Sequence, residues 1–173
     1  SSKGKGSYNF NRIATFPVCS QLEADCNTDT ETAAEIVTVS GDLNTLIYSD
    51  SPMGVIGFVD IKDATNPEPI GTLDVGGEPT SVSVWNDSIA VVGVNTSASY
   101  TDTSGKLVAV DIASKTILKS WDLGGQPDSV AVSPDGKYIV VAIENERDED
   151  LGEGIPPQVS LLKTFPPVLI AHY

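Results

Sequence analysis

The densest run of reactive side chains is Glu144-Asn145-Glu146-Arg147-Asp148-Glu149-Asp150, followed by Leu151-Gly152-Glu153-Gly154. Six carboxylates fall between 144 and 153, with Arg147 the one basic side chain among them. Carboxylate oxygens at short spacing are what Ca²⁺ requires. The EF-hand pattern does not fit, because no glycine stands sixth after an acidic set at positions 1, 3 and 5. A solvated acidic loop is the plainer reading of this run, and a cation site the sharper one.

Other chemistry has thinner support. The sequence contains no G-x-S-x-G, no P-loop and no G-x-G-x-x-G. His172 is the single histidine and lies next to the last residue, a poor place to hold an orienting hydrogen bond for a Ser-His-Asp triad. Cys19 and Cys26 are close in sequence. They read as a local disulfide pinning a polar loop, or as two free thiols. Two thiolates without nearby ligands make a poor metal site. Trp85 and Trp121 occupy non-equivalent places in the repeat below and read as packing residues.

That repeat must position whatever chemistry there is. Asp74-Val75-Gly76-Gly77-Glu78-Pro79-Thr80-Ser81-Val82-Ser83-Val84 returns 48 residues later as Asp122-Leu123-Gly124-Gly125-Gln126-Pro127-Asp128-Ser129-Val130-Ala131-Val132. Val59-Asp60-Ile61 and Val110-Asp111-Ile112 precede the two copies. A partial third copy, Glu35-Ile36-Val37-Thr38-Val39-Ser40-Gly41-Asp42, comes first. Each unit reads as short apolar strands separated by turns, such as Ser133-Pro134-Asp135-Gly136. About four strands per repeat is the arithmetic of a propeller blade. The expected fold is therefore all-β: a partial β-propeller of about three four-stranded blades, the first and last incomplete. Residues 1–9 read as a flexible lead, 10–158 as the propeller and 159–173 as a divergent tail. Rings close with four or more blades. So the chain reads as part of a longer protein, a self-associating piece, or an open stack whose sheet edges could pair with a partner.

Repetition carries equivalent residues to equivalent points around an axis. Asp50, Asn95 and Asn145 each follow the second apolar strand of their unit, and Glu35, Thr80 and Asp128 each precede the first. The spacing predicts a shared polar face, although a strand-end cap is the ordinary role of each residue taken singly.

Composition sets the outer limits. The chain has 173 residues, 24 acidic and 10 basic side chains and a net charge of −14. Nucleic-acid binding is not expected, since phosphate backbones need Lys and Arg. No apolar run is long enough for a membrane helix. Sequons at Asn86-Asp87-Ser88 and Asn95-Thr96-Ser97 are compatible with secretion.

The motifs together resemble a known family. Glu31-Thr32-Ala33-Ala34-Glu35-Ile36-Val37, Ile47-Tyr48-Ser49-Asp50-Ser51-Pro52, Gly57-Phe58-Val59-Asp60-Ile61, the two Gly-Gly-x-Pro segments and Ile143 to Asp150 resemble the N-terminal part of secreted phytase-like esterases. More loosely, they resemble the wider set of choice-of-anchor and YVTN-type propellers. The resemblance implies an extracellular or periplasmic propeller with a phosphoester hydrolase role, acting on a phosphorylated small molecule with Ca²⁺ as cofactor. It implies metal positions at Glu35, Asp50, Glu144, Glu146, Asp148 and Asp150, joined by Asn95 and Asn145. After Gln158 the sequence departs from the family pattern and lacks its Val-Asp strand. Two functions follow as expectations. One is a Ca²⁺-assisted phosphomonoesterase, of which this chain is a part. The other is a non-catalytic acidic propeller module that binds cations or a protein partner.

Overall fold

The apolar runs at the middle of each repeat are continuous rather than alternating, as in Ile89 to Val94 and Leu107 to Val110. Such runs suit strands covered on both faces. The computed structural model of the chain describes residues 11–144, 158–162 and 168–172, and the described residues form twelve strands in three four-stranded sheets. The first sheet holds β1 (Val37–Val39), β2 (Thr45–Asp50), β3 (Val55–Asp60) and β4 (Glu68–Asp74). The second holds β5 (Glu78–Trp85), β6 (Ile89–Asn95), β7 (Gly105–Asp111) and β8 (Thr116–Asp122). Both are antiparallel meanders in chain order. The architecture is the all-β, partial propeller of three blades that the repeat predicts, except that the first and last sheets, expected to be incomplete, each hold four strands.

The third sheet holds β9 (Gln126–Val132), β10 (Ile139–Glu144), β11 (Gln158–Leu162) and β12 (Val168–His172), in the order β9-β10-β12-β11. β12 pairs parallel to β10, and β11 pairs antiparallel to β12 on the outside. The segment read as a tail thus supplies β12 and nearly all of β11, two of the four strands. Composition explains which takes the inner place. Val168-Leu169-Ile170-Ala171 is apolar throughout, and Val168 and Ile170 are buried. Gln158-Val159-Ser160 alternates, which suits a sheet edge.

The sheets stack face to face. Ile47, Ile56 and Phe58 of the first sheet pack on Val82, Val92, Val94 and Val108 of the second. The opposite face of the second sheet presents Val91 and Leu107 to Val130, Ile139, Val141, Ile143, Val168 and Ile170 of the third. Each such side chain contributes about 1.5–3 kcal/mol by leaving water. The free face of the first sheet, with Leu46, Tyr48 and Val59, is met by the N-terminal segment through Ile13, Phe16 and Val18. Gln21 fixes that segment. Its Nε2 donates to the Phe58 carbonyl (2.6 Å), and its Oε1 accepts the Gly71 N–H (3.0 Å), at the bulge between β3 and β4. Cys19 and Cys26 are disulfide-bonded beside it. Among the described residues no helix is long and apolar enough to cross a membrane.

Each repeated residue has a task at the junction between sheets. Asp74 and Asp122 accept the N–H of Gly76 and Gly124, which hold positive φ of 76° and 68°. This is the turn for which Asp-x-Gly is suited. The N–H groups of Val75 and Leu123 donate to the carbonyls of Gly54 and Gly105. A Cβ on Gly105 would lie 2.3 Å from the Gly125 carbonyl oxygen. The chains therefore approach too closely there for any side chain.

Candidate functional site

The second strand of each sheet and the first strand of the next end at the same rim. β5 and β9 begin there, and β2, β6 and β10 finish there. Thr80 and Asp128 are the extra residues of two equivalent bulges, where the pairing steps from Pro79 to Ser81 and from Pro127 to Ser129. Thr80 Oγ1 donates to the Pro127 carbonyl oxygen at 2.8 Å, tying the second sheet to the third. Glu35, the matching residue of the first sheet, accepts from Ser51 Oγ at 2.5 Å. Ser51 Oγ also lies 3.0 Å from the Pro79 carbonyl oxygen, so one proton serves two acceptors. Glu35, Thr80 and Asp128 do occupy equivalent places.

The other predicted set needs a correction. Asn95 pairs with Glu78, and Glu144 pairs with Gln126. The equivalent of Asn95 is therefore Glu144, not Asn145. Asp50 corresponds instead to Val94 and Ile143, because the register through β3 and β7 aligns Ile47 with Val91. Counting along the chain misses this because the turn between the first and second strands is one residue shorter in the second sheet, where Val84 faces Ala90, than in the others, where Val39 faces Leu46 and Val132 faces Ile139. Asp50 is 2% exposed, and its Oδ1 accepts the Met53 N–H at 3.2 Å, capping the turn into β3.

Two clefts open at this rim and share Glu78. One, of about 420 Å³, runs along Ser51, Met53, Asp74 and Gly77. The other, of about 340 Å³, bridges the second and third sheets and is lined by Glu78, Asn95, Ser97, Ser99, Tyr100 and Gln126. The loop from 96 to 104 is set by its own hydroxyls. Asn95 Oδ1 accepts the Ser97 N–H at 2.9 Å, and Ser97 Oγ bonds both backbone groups of Ser104. In the second cleft amides, hydroxyls and one carboxylate thus converge, whereas the hydroxyl that bonds a carboxylate, Ser51 on Glu35, borders the first. Sequence reasoning missed Glu78, Gln126 and Ser51, although Glu78 and Gln126 are matched positions of the 48-residue repeat.

Among the described residues, no group of three or more His, Cys, Asp or Glu side chains could hold a metal ion. Glu35, Asp50 and Glu144 therefore do not form a cation site with one another. Asn145, Glu146, Asp148 and Asp150 lie outside the described residues. Much of the remaining acidity caps turns. Asp42 is held below the ordinary carboxylate range by the Ser40 hydroxyl and the Asn44 N–H. The Thr65 hydroxyl and N–H lower Asp63. The Ser114 N–H and hydroxyl lower Asp111. The Ser133 hydroxyl and Lys137 N–H lower Asp135. Burial raises the Tyr48 phenol.

A family profile described as the Choice-of-anchor I domain matches residues 35–163. None of the curated proteins matches the chain. Among solved structures, hydrazine synthase from Kuenenia stuttgartiensis is similar at 26% identity and a TM-score of 0.52, over 68% of this chain and 32% of that one. A functionally unknown protein from Desulfotomaculum acetoxidans aligns at 8% identity and a TM-score of 0.49, over 62% of this chain and 32% of that one. A luciferin-regenerating enzyme aligns at 19% identity and a TM-score of 0.44, over 57% of this chain and 33% of that one. The chain spans about one third of the length of each.

Proposed function

Because this chain belongs to the choice-of-anchor I domain family, we propose that it works as a non-catalytic binding module, three blades of a secreted or cell-surface propeller. The family is of a kind found in secreted or cell-surface proteins, and the Cys19–Cys26 disulfide agrees with an oxidising compartment. The observation that carries the binding reading is the rim cleft around Glu78, Asn95 and Gln126. It offers donors and acceptors from two sheets and no paired nucleophile and base. Such a surface suits a cationic or hydrogen-bonding group of a partner protein more than bond cleavage.

The second reading is the phosphoester hydrolase of the phytase-like resemblance, with Ca²⁺ as cofactor. The placement of Glu144 favours it, because this residue ends β10 at the rim and leads directly into Glu146, Asp148 and Asp150. The described residues alone do not fit a Ca²⁺ site. Calcium would have to be held by Glu144 with that acidic stretch. Bound there, it would supply the positive charge that a −14 chain lacks toward phosphate.

Phosphomonoesterase assays with and without a chelator, run beside calorimetric Ca²⁺ titration, separate the two. The binding module predicts no turnover in either condition. Chelator-sensitive turnover would establish the hydrolase instead. Ca²⁺ binding without turnover, lost in Glu144→Gln, would make the cation the rim's ligand. No Ca²⁺ binding would leave the partner-protein form of the module.

A further inference from the structure

Two loops at the same rim differ in reach. Residues 51–54 join β2 to β3, whereas the longer run 96–104 joins β6 to β7. The longer loop is a hairpin that carries the pairing past the rim. Its Thr96 N–H donates to the Ser104 carbonyl and its Ala98 N–H to the Asp102 carbonyl, each at 3.1 Å. At its tip stands Tyr100, 74% exposed, more than any other large apolar side chain described. A ring so placed adds nothing to the core, and its apolar face and hydroxyl suit a ligand. Tyr100 lines the cleft of about 340 Å³ with Glu78, Asn95, Ser97, Ser99 and Gln126. Sites for small ligands begin at roughly that volume, about 300 Å³. The cleft at the first junction has no aromatic and no amide side chain on its described lining.

Hydrogen-bond polarity decides the class of ligand. Asn95 Oδ1 accepts the Ser97 N–H at 2.9 Å, which fixes the amide's orientation and leaves Nδ2 to donate into the cleft. Glu78 is exposed, and no described residue bonds its carboxylate, which as an anion only accepts. The lining therefore offers both a donor and an acceptor. A hydroxyl meets both, because it donates and accepts. An ammonium or guanidinium group only donates and would leave Asn95 Nδ2 facing other donors. Among the described residues no cationic side chain lines the cleft, so Glu78 and the net charge of −14 turn away carboxylates and phosphates.

We propose that this cleft binds a neutral pyranose sugar, an inference that rests on the reading of the cleft as the binding surface and names its ligand. The C–H face of the ring stacks on Tyr100. Glu78 accepts from the sugar hydroxyls, and Asn95 Nδ2 donates to a hydroxyl oxygen.

Saturation-transfer NMR on the whole chain tests this, with methyl β-D-glucoside, methyl β-D-galactoside and methyl α-D-mannoside as probes. Saturable transfer to at least one is expected, strongest at the ring C–H protons that meet Tyr100. Tyr100→Ala and Glu78→Gln both alter exposed side chains, and each is expected to weaken glycoside binding about tenfold. Asn95→Asp keeps an oxygen to cap Ser97 but exchanges the donor for a second acceptor. It is expected to weaken the glycosides several-fold and to favour Nα-acetyl-lysinamide. If Asn95→Asp loses its native circular dichroism, the two exposed variants carry the test. No saturable transfer to any of the three glycosides would overturn the proposal, as would unchanged affinity in either exposed variant. Binding of Nα-acetyl-lysinamide in place of the glycosides would overturn the sugar and leave the binding-module reading standing. Chelator-sensitive phosphomonoester turnover with glycoside binding retained would overturn that reading and leave the sugar.

Discussion

The junction between the first and second sheets and the junction between the second and third are built from the same parts. In each, a glycine at the start of the third strand approaches a Gly-Gly pair, Gly54 just before β3 near Gly77 and Gly105 at the head of β7 near Gly125. In each, a hydroxyl reaches a proline carbonyl at the head of the next sheet. The source of that hydroxyl differs. Ser51 supplies it at the first junction, with Glu35 as a second acceptor, whereas the bulge residue Thr80 supplies it at the second. Asn95, the counterpart of Ser51, caps its own loop instead. The bulge exposes a carbonyl that must be satisfied, and any donor placed there will serve. The outer halves differ more. β3 and β4 continue a meander, whereas β12 enters the third sheet parallel and out of chain order.

Four experiments break or sharpen this comparison. The largest effect is expected from Gly105→Ala, whose Cβ would meet the Gly125 carbonyl oxygen and Pro127 Cδ, each at 2.3 Å. Urea titration should show a loss of about 4 kcal/mol or more. Gly124→Ala meets nothing within 4 Å and should cost only about 1–2 kcal/mol, through its positive φ. Similar losses from the two would mean that the junction is not closely packed.

Ile170→Ala should cost about 3 kcal/mol, because Ile170 is 3% exposed in the core shared by the second and third sheets. A loss below about 0.5 kcal/mol would place β12 outside that core. Ser51→Ala and Thr80→Val should each cost about 1 kcal/mol, and by similar amounts if the two hydroxyls do equivalent work. Thermal or urea melts of both variants measure this, and a loss confined to one would show that only one junction depends on its tie.

The smallest effect is acid sensitivity. Asp42 and Asp135 are equivalent caps whose folded pKa values lie below the ordinary 3.8. A depressed carboxylate contributes stability that is complete above its unfolded value and is lost as pH falls through its folded value. Melts between pH 6 and pH 2.5 should therefore fall off below about pH 4, and Asp42→Asn with Asp135→Asn should flatten that fall. An unaltered profile would mean that the caps carry none of it.

Local rules made much of this legible. Asp-x-Gly-Gly-x-Pro predicts the turn that Asp74 and Asp122 form, and Ser133-Pro134-Asp135-Gly136 predicts the turn between β9 and β10. The alignment of Glu35, Thr80 and Asp128 was readable for the same reason. Asp50 was not. It looks like a rim carboxylate, but the register places it where the other sheets have buried Val94 and Ile143. The acidity was visible as a total, but its use in capping Asp42, Asp63, Asp111 and Asp135 needed each hydrogen bond.

The sequence by itself determined the repeat, the strands and the turns, because residues within a few positions of one another set those through backbone preference and side-chain capping. Tertiary structure decided which strand lies inside the third sheet and which residues share the rim. Those outcomes depend on competition for burial and on registers between strands far apart in sequence. A hairpin turn one residue shorter, as between β5 and β6, is enough to change which residues reach the rim.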